Sequence, residues 1–472
     1  MCFSLKFAKQ TLSQSKLIRL QFRCLPFGRS QEPPSIQSSA MSDEQSEYGT
    51  FKDSRRAPIH RWFQYPAGYS YKLVTEKIRQ HGIGPEDGLV FDPFLGTGTT
   101  CLAAMSEGYD SVGIEAHDFV SKVALTKLSW ADYDVDSMRN WLWKLGAKMT
   151  LISVEERALK DFDSMPELVK KCYSEGNLRN LLKIKHAIRV SVRDKLSKRL
   201  LNLALTATLR TASSAGTGWP YVAPTKHGSK KKEKPGIDEF QKHVTMMLND
   251  IEEVRNEVAN PGDAAVIEGD SRVRQAEIGI ESVSITICSP PYLNNYDYAD
   301  RTRLETYFFG HATSWGDITE KYRDKLMTAA TTQTKRTGFD PEKCLSDSFW
   351  SKAPELAEEI TGYVTELSEI RLTKGGKKSY DIMTAEYFEH MLQIMEQVRD
   401  YSRPGAPFIL VLGDSAPYGV HIKTETVIGE LGKALGFSDY SIEELRTRGG
   451  KWAENPQRHN VPLRECITTL IR

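Results

Sequence analysis

Leu89-Val90-Phe91-Asp92-Pro93-Phe94-Leu95-Gly96-Thr97-Gly98-Thr99-Thr100 decides how the rest of the chain is read. Its first three residues have the length and character of a buried strand, and Asp92 closes it. Two glycines follow at alternate positions, then Thr99-Thr100 and a helix-like run from Cys101 to Glu107. The pattern is a strand, a tight turn and a helix start. Glycine lets the backbone bend there and lets a ligand come close, because no Cβ is in the way. Asp110-Ser111-Val112-Gly113-Ile114-Glu115 reads as a second strand ending in an acid, and an acid so placed can hydrogen-bond both hydroxyls of a ribose. The unit suits an adenosine-bearing cofactor.

The cofactor can be narrowed. The phosphate-cradling G-x-x-x-x-G-K-[ST] pattern is absent. The dinucleotide pattern G-x-G-x-x-G is absent too, since its third glycine position is Cys101. An acid at the strand end, Asp92, would repel a pyrophosphate and suit a cationic ligand. S-adenosylmethionine carries both an ammonium and a sulfonium. The bland alternative is a strand-turn-helix crossover that binds nothing.

A second anchor lies far downstream. Ser284-Ile285-Thr286-Ile287-Cys288 is strand-like and runs into Ser289-Pro290-Pro291-Tyr292. Two prolines remove two backbone donors and fix the turn, so nearby carbonyls are free to accept from something else. Tyr292 adds an aromatic face. The pair of motifs, Asp-Pro-Phe-x-Gly-x-Gly-Thr and Ser-Pro-Pro-Tyr, resembles the S-adenosylmethionine-dependent DNA amino-methyltransferases that make N4-methylcytosine or N6-methyladenine. The resemblance implies an α/β fold, a Rossmann-like doubly wound and mostly parallel sheet of the class I methyltransferase kind, with a largely helical insertion. It implies cofactor contacts from Asp92, Pro93, Phe94, Gly96, Gly98, Thr99 and Glu115, and from Asp270 toward the adenine amino group. Phe63, Tyr65 and Ser70, in the aromatic stretch before the glycine turn, would wall the methionine half; the alternative is that these aromatics pack a helix onto the sheet. Ser289, Pro290, Pro291 and Tyr292 would be the catalytic set.

Composition bounds the rest. At 472 residues the chain can hold two or three domains, or one domain with a large insertion. The net charge of +1 gives no global nucleic-acid signal, so any such signal is local. Seven cysteines without C-x-x-C pairs argue against a zinc site or a disulfide framework and for a reducing compartment, and no metal ligands are expected. No apolar run approaches the roughly eighteen residues of a membrane span. A cytoplasmic, prokaryotic setting is expected. Lys6, Lys9, Lys16, Arg19, Arg23 and Arg29 precede the first acid, Glu32. That composition fits a transit peptide or, as favoured here, an upstream extension before a start at Met41.

Four segments follow. Residues 1–50 read as a disordered extension and 51–130 as the cofactor-binding part of a catalytic domain. Residues 131–260 read as a helical insertion, with helices expected over 136–149, 165–174, 177–210 and 238–258. Residues 261–472 carry the Ser-Pro-Pro-Tyr part, interrupted at 293–375, where 302–375 has no assigned role. Between Lys170 and Arg210 stand eleven Lys/Arg against two acids, Glu175 and Asp194. The flexible-looking Ser213–Tyr221 loop and the cluster Lys230-Lys231-Lys232-Glu233-Lys234 follow. A basic amphipathic helix is most often a solvated face. Beside these neighbours it suggests a backbone-phosphate surface. The motif order, with the glycine loop first, leaves open whether 131–260, 293–375 or both read the target.

The resemblance also implies a mechanism. A base in double-stranded DNA is flipped out, at roughly a few kcal/mol, because its exocyclic amine is stacked inside the duplex. Tyr292 stacks on it, and the Ser289 hydroxyl and Pro290 carbonyl accept the amine's hydrogens. The methyl then passes in line, without a covalent enzyme intermediate. Cys288 reads as a small buried residue. Serine at the first motif position leans toward cytosine N4. A restriction or defence-system partner is expected alongside. The competing readings are a methyltransferase of RNA or of protein glutamine, and a non-catalytic nucleic-acid-binding protein.

Overall fold

Apolar runs that end in an acid or a glycine do form the strands. The computed structural model describes residues 47–65, 68–86, 88–218, 221–224, 231–448 and 461–472. Among the described residues nine strands follow in chain order: β1 Leu89–Asp92, β2 Asp110–Glu115, β3 Gly216–Gly218, β4 Tyr221–Ala223, β5 Ala264–Glu268, β6 Val283–Cys288, β7 Pro407–Gly413, β8 Asp439–Arg448 and β9 Leu463–Ile471. Seven of them make one sheet in the order β5-β2-β1-β6-β7-β9-β8. Every pairing from β5 to β7 is parallel, and β9 runs antiparallel to both its neighbours. The order turns back between β1 and β6. In an open α/β sheet that reversal leaves a crevice at the carboxyl ends of the two strands, where ligands bind.

The longer helices are α1 Tyr71–Gln80, α2 Thr99–Ser106, α3 Asp118–Leu128, α4 Val135–Trp143, α5 Ile152–Ser164, α6 Glu175–Ser191, α7 Lys195–Ala212, α8 Gly236–Glu257, α9 Pro354–Thr373, α10 Tyr380–Tyr401 and α11 Thr424–Ala434. Helices cover both faces of the sheet, so its central strands are continuous apolar runs. Leu89, Phe91, Phe408 and Leu410 share a core with Val364, Phe388 and Ile428 of α9, α10 and α11. Val90, Ile285, Ile287 and Ile409 point the other way, onto Leu73, Val74 and Ile78 of α1. Ser70 caps α1, its hydroxyl accepting from Lys72 N at 3.3 Å.

The insertion packs around α3. Phe119, Val123 and Leu128 share one core with Trp130, Leu181, Leu205 and Phe240. Asp250 of α8 is fully buried and accepts from Ile59 N and Trp62 Nε1, each at 3.0 Å, and from the Arg61 guanidinium. It ties the aromatic stretch before α1 to the insertion.

Several expectations are corrected. The single helix expected over 177–210 is two, because Val192 is extended and Asp194 restarts the chain as the cap of α7, accepting from Ser197 N at 2.6 Å. Helix α5 was not expected, and the helix expected over 165–174 shrinks to Glu167–Lys170. Acids of α5 neutralise part of the basic stretch: Glu155 pairs with Lys183 at 2.7 Å and Asp161 with Lys185 at 2.8 Å. These two cations are paired with acids of the neighbouring helix. The loop after α7 is partly a ladder, Gly216–Gly218 against Tyr221–Ala223; Trp219, Pro220 and Lys230 lie outside the described residues. So do residues 1–46 of the expected extension, whereas residues 47–50 are built into the fold. Tyr48 is buried and its phenol donates to Glu76. Strand β8 went unread because it is polar and only its Leu445 is buried. Among the described residues no helix is long and apolar enough to cross a membrane.

Candidate active site

At the carboxyl end of β1 the chain must turn sharply to enter α2. Gly96 (φ +53°) and Gly98 (φ +86°) take the left-handed backbone conformations that this needs. Asp92 is buried and fastens the turn: its carboxylate accepts from Phe94 N at 2.8 Å and from the Thr100 hydroxyl. That hydroxyl also lies 3.2 Å from the Ile287 carbonyl, joining the turn to β6. Burial pushes the Asp92 carboxyl up to about 7. Asp92 stands behind the residues that line the cleft, and each of its oxygens accepts a bond from the loop, so the structure does not set this acid against a cationic ligand as expected. Pro93, Phe94, Gly96 and Thr99 do line it, and Gly98 stands behind them as the cap of α2.

Glu115 ends β2 beside that turn. One carboxylate oxygen accepts from Gly96 N and the other from His117 N, both at 2.8 Å. Burial pushes its pKa up to about 7, against the pull of these two bonds. A carboxylate oxygen can accept twice, so each keeps acceptor capacity that can face the cleft. His117 lines the same wall, with its ring stacked on Tyr322 at 4.4 Å. Burial lowers its pKa to about 4, which keeps it neutral near pH 7.

Asp270 also lines the cleft, but its carboxylate is already gripped by Arg272, with Nε at 2.9 Å from both oxygens and Nη2 at 2.7 Å. Tyr65 lines the cleft; Phe63 sits behind it, packed between Tyr65 and Phe119 with both ring separations at 6.4 Å.

At the end of β6, Ser289 and Pro291 enter the same cleft. The Ser289 hydroxyl lies 3.3 Å from the Val411 carbonyl and donates to it, which leaves the hydroxyl oxygen as an acceptor. Pro290 and Tyr292 are buried and do not line the cleft. The Tyr292 phenol donates to Glu465 Oε1 at 2.9 Å, and the Arg448 guanidinium lies over its ring. Cys288 is fully buried, and burial raises its thiol well above the ordinary range.

The two motifs therefore meet in one cleft of about 940 Å³, counting its open mouth. Part of its wall was not foreseen. Lys325, Leu326 and Met327 belong to the segment that had no assigned role, and Ile394 comes from α10. Nothing in their local sequence marks them, because long-range packing alone brings them here. Tyr69 and Tyr298 stand in aromatic stretches beside the motifs and could have been found by that adjacency.

Comparison with known proteins bears on this geometry. Residues 26–126 match a family model described as DNA methylase, of the N6 and N4 type. The chain is 24% identical over 457 residues to the Type II methyltransferase M.BsoBI of Geobacillus stearothermophilus, covering 89% of this chain and 86% of that protein. It is 22% identical over 448 residues to M.AvaI of a Nostoc strain, covering 89% and 87%. A shorter match to M.ScaI of Streptomyces caespitosus is 35% identical over 75 residues, 16% of this chain. The chain is a DNA methyltransferase. The reaction class these matches support is DNA amino-methylation. The family match spans the turn after β1 and the acid ending β2 and stops before Ser289, whereas the first two relatives run across both halves of the enzyme's sheet.

Proposed function

We propose that this enzyme moves a methyl group from S-adenosylmethionine to the exocyclic amine of a flipped base in double-stranded DNA, cytosine N4 in preference to adenine N6, at a defined sequence. The observation that carries the proposal is the convergence of Glu115, Gly96, Ser289 and Pro291 on one cleft where the strand order reverses. The Type II naming of the two long relatives supports a defined site.

The residues present fit the donor. Glu115 has acceptor capacity left for two vicinal hydroxyls, and at Gly96 an added Cβ would meet only the Phe94 carbonyl at 3.8 Å, so the backbone there is open to a ligand. When bound, S-adenosylmethionine supplies an electrophilic methyl on a sulfonium. The chain does the rest by position. The amine is a poor nucleophile because its lone pair is delocalised into the ring. Ser289 Oγ, its own proton directed at Val411 O, accepts one amine hydrogen, and the carbonyl of Pro290, a buried residue beside it, would take the other once the base is seated. Holding both hydrogens draws the nitrogen toward a tetrahedral form and aims its lone pair into the cleft. Tyr292, buried beside the cleft, would supply the stacking face once a base displaces what covers its ring. The nitrogen leaves the transfer with one proton in excess, which passes to solvent at the open mouth of the cleft, and Cys288, fully buried, is not placed to act as a nucleophile.

The test uses purified protein, labelled S-adenosylmethionine and separate DNA and RNA pools, with nucleosides identified by mass. N4-methylcytosine from DNA, lost in Ser289→Ala, is the expected result. N6-methyladenine would overturn the choice of base, and label confined to RNA or protein would overturn the choice of substrate.

A further inference from the structure

Tyr292 does not offer a bare ring to a base. It is only 6% exposed. Its hydroxyl end is held by the buried Glu465, which also accepts from Arg446 Nε at 2.7 Å. Its face is covered by the guanidinium of Arg448, the last residue of β8, 5.0 Å from the ring centroid. Arg448 Nη1 reaches the Asp414 carbonyl at 3.3 Å. Gly413, at the end of β7, makes the room: a Cβ there would come within 1.9 Å of Arg448 Nη1 and 2.8 Å of Tyr292 Cδ2. The aromatic ring of the catalytic turn is thus anchored from one side and occupied on the other.

A guanidinium is flat and delocalised and stacks on an aromatic face as a nucleobase does. A stacked base and this guanidinium cannot share one face of Tyr292. We propose that Arg448 holds the place of the target base: it covers the stacking face of Tyr292 while no base is bound and yields it when the base enters. This rests on the reading of the enzyme as a methyltransferase of flipped DNA bases. Arg448 is then a positioning residue, because it keeps the base pocket formed and sets what the base must displace. Being half-buried, it has solvent and the incoming phosphate backbone to move toward.

The experiment compares full-length wild type, Arg448→Ala and Arg448→Lys. Each binds two duplexes that carry the recognition site, mapped beforehand by sequencing DNA methylated by the wild type, one intact and one abasic at the target. Loss of a cation weakens both complexes alike, so the readout is the ratio of the abasic to the intact Kd. The ratio is expected to rise roughly 2- to 30-fold in Arg448→Ala, the worth of one cation–π contact that the base no longer displaces. Arg448→Lys, which keeps charge but loses the plane, is expected to fall between. Thermal melts of the three proteins check that the fold is kept. An unchanged or lower ratio in both variants overturns the exchange, and a lower one would mean that Arg448 binds the base directly. If wild type puts no label on DNA, the functional reading falls and the exchange with it. If wild type labels DNA and the ratio does not move, only the exchange falls.

Discussion

The two ends of the cleft are built on different plans. At the cofactor end, side chains bind backbone amides close by in sequence: Asp92 holds Phe94 N, and Glu115 holds Gly96 N and His117 N. At the base end, the Ser-Pro-Pro-Tyr turn leans on distant partners: Ser289 on Val411, 122 residues away, and Tyr292 on Glu465, 173 away. The first end is a local turn that carries its own reasons. The second exists only once β6, β7 and β9 are side by side. A change at the cofactor end should therefore disturb cofactor binding alone, and a change at the base end should disturb turnover alone.

The sharpest break of that comparison is Glu115→Ala. It removes the acceptors offered to the ribose and leaves the amides of Gly96 and His117 without their partner. Hydrogen bonds to a charged group are worth about 1.5–3 kcal/mol each, so cofactor affinity should fall by on the order of 100-fold or more. Calorimetric titration with S-adenosylmethionine measures it. DNA binding without cofactor should change little; a matching loss there would erase the division between the two ends.

Glu465→Leu probes the other end. It frees the Tyr292 phenol and leaves Arg446 beside an apolar group. Losing a charge-assisted anchor of about 1.5–3 kcal/mol predicts a fall in kcat of roughly 10- to 100-fold with cofactor Kd unchanged. Glu465→Gln keeps an acceptor for the phenol and should recover part of the rate. If both variants lose activity equally, Glu465 matters for its charge and not as an anchor of the ring.

The same contrast explains what could be read in advance. Strands β1, β2, β5, β6 and β7 were legible because each is a short apolar run that stops at an acid, a glycine or Ser289. Glu115 was legible because its work is done within twenty residues of the glycine turn. Strand β8 was not, since an edge strand reading Asp439-Tyr440-Ser441-Ile442-Glu443-Glu444 carries only Tyr440 and Ile442 on its apolar face, too short an alternation among acids to stand out. The break at Asp194 was written as a cap signal inside a basic run and was lost in the leucine periodicity around it. Lys325–Met327, Glu465 and Arg448 carry no local mark at all. The bidentate grip of Arg272 on Asp270 needs side-chain geometry that spacing alone does not supply.

Protonation offers a subtler test of the cofactor end. Burial raises Glu115 from 4.5 to about 7 and Asp92 from 3.8 to about 7. The ionised Glu115 is the better ribose acceptor, so cofactor affinity should drop as pH falls below about 7, by at most about tenfold per unit. Glu115→Gln should flatten that slope. Stability of the free protein runs the other way. A carboxyl whose folded pKa is raised contributes most below its unfolded pKa, and that contribution is lost as pH rises through about 7. Melting between pH 5 and 8 should therefore show a downward trend with pH that Glu115→Gln weakens. A Kd independent of pH would mean that the acid is ionised throughout.

The smallest expected effect separates two uses of glycine. Gly98 has φ +86°, and a Cβ there would meet Ala124 Cβ at 3.4 Å, an ordinary contact. The cost of Gly98→Ala is then one left-handed alanine, about 1 kcal/mol of folding stability, read as a small shift in a urea or thermal melt. Gly413 has no such backbone demand; a methyl there would strike Arg448 and Tyr292 instead. Gly98→Ala should lower stability and leave the Tyr292 face untouched. Gly413→Ala should shift Arg448, and with it the ratio of abasic to intact DNA binding, because at the base end even the glycine answers to side chains brought from far along the chain.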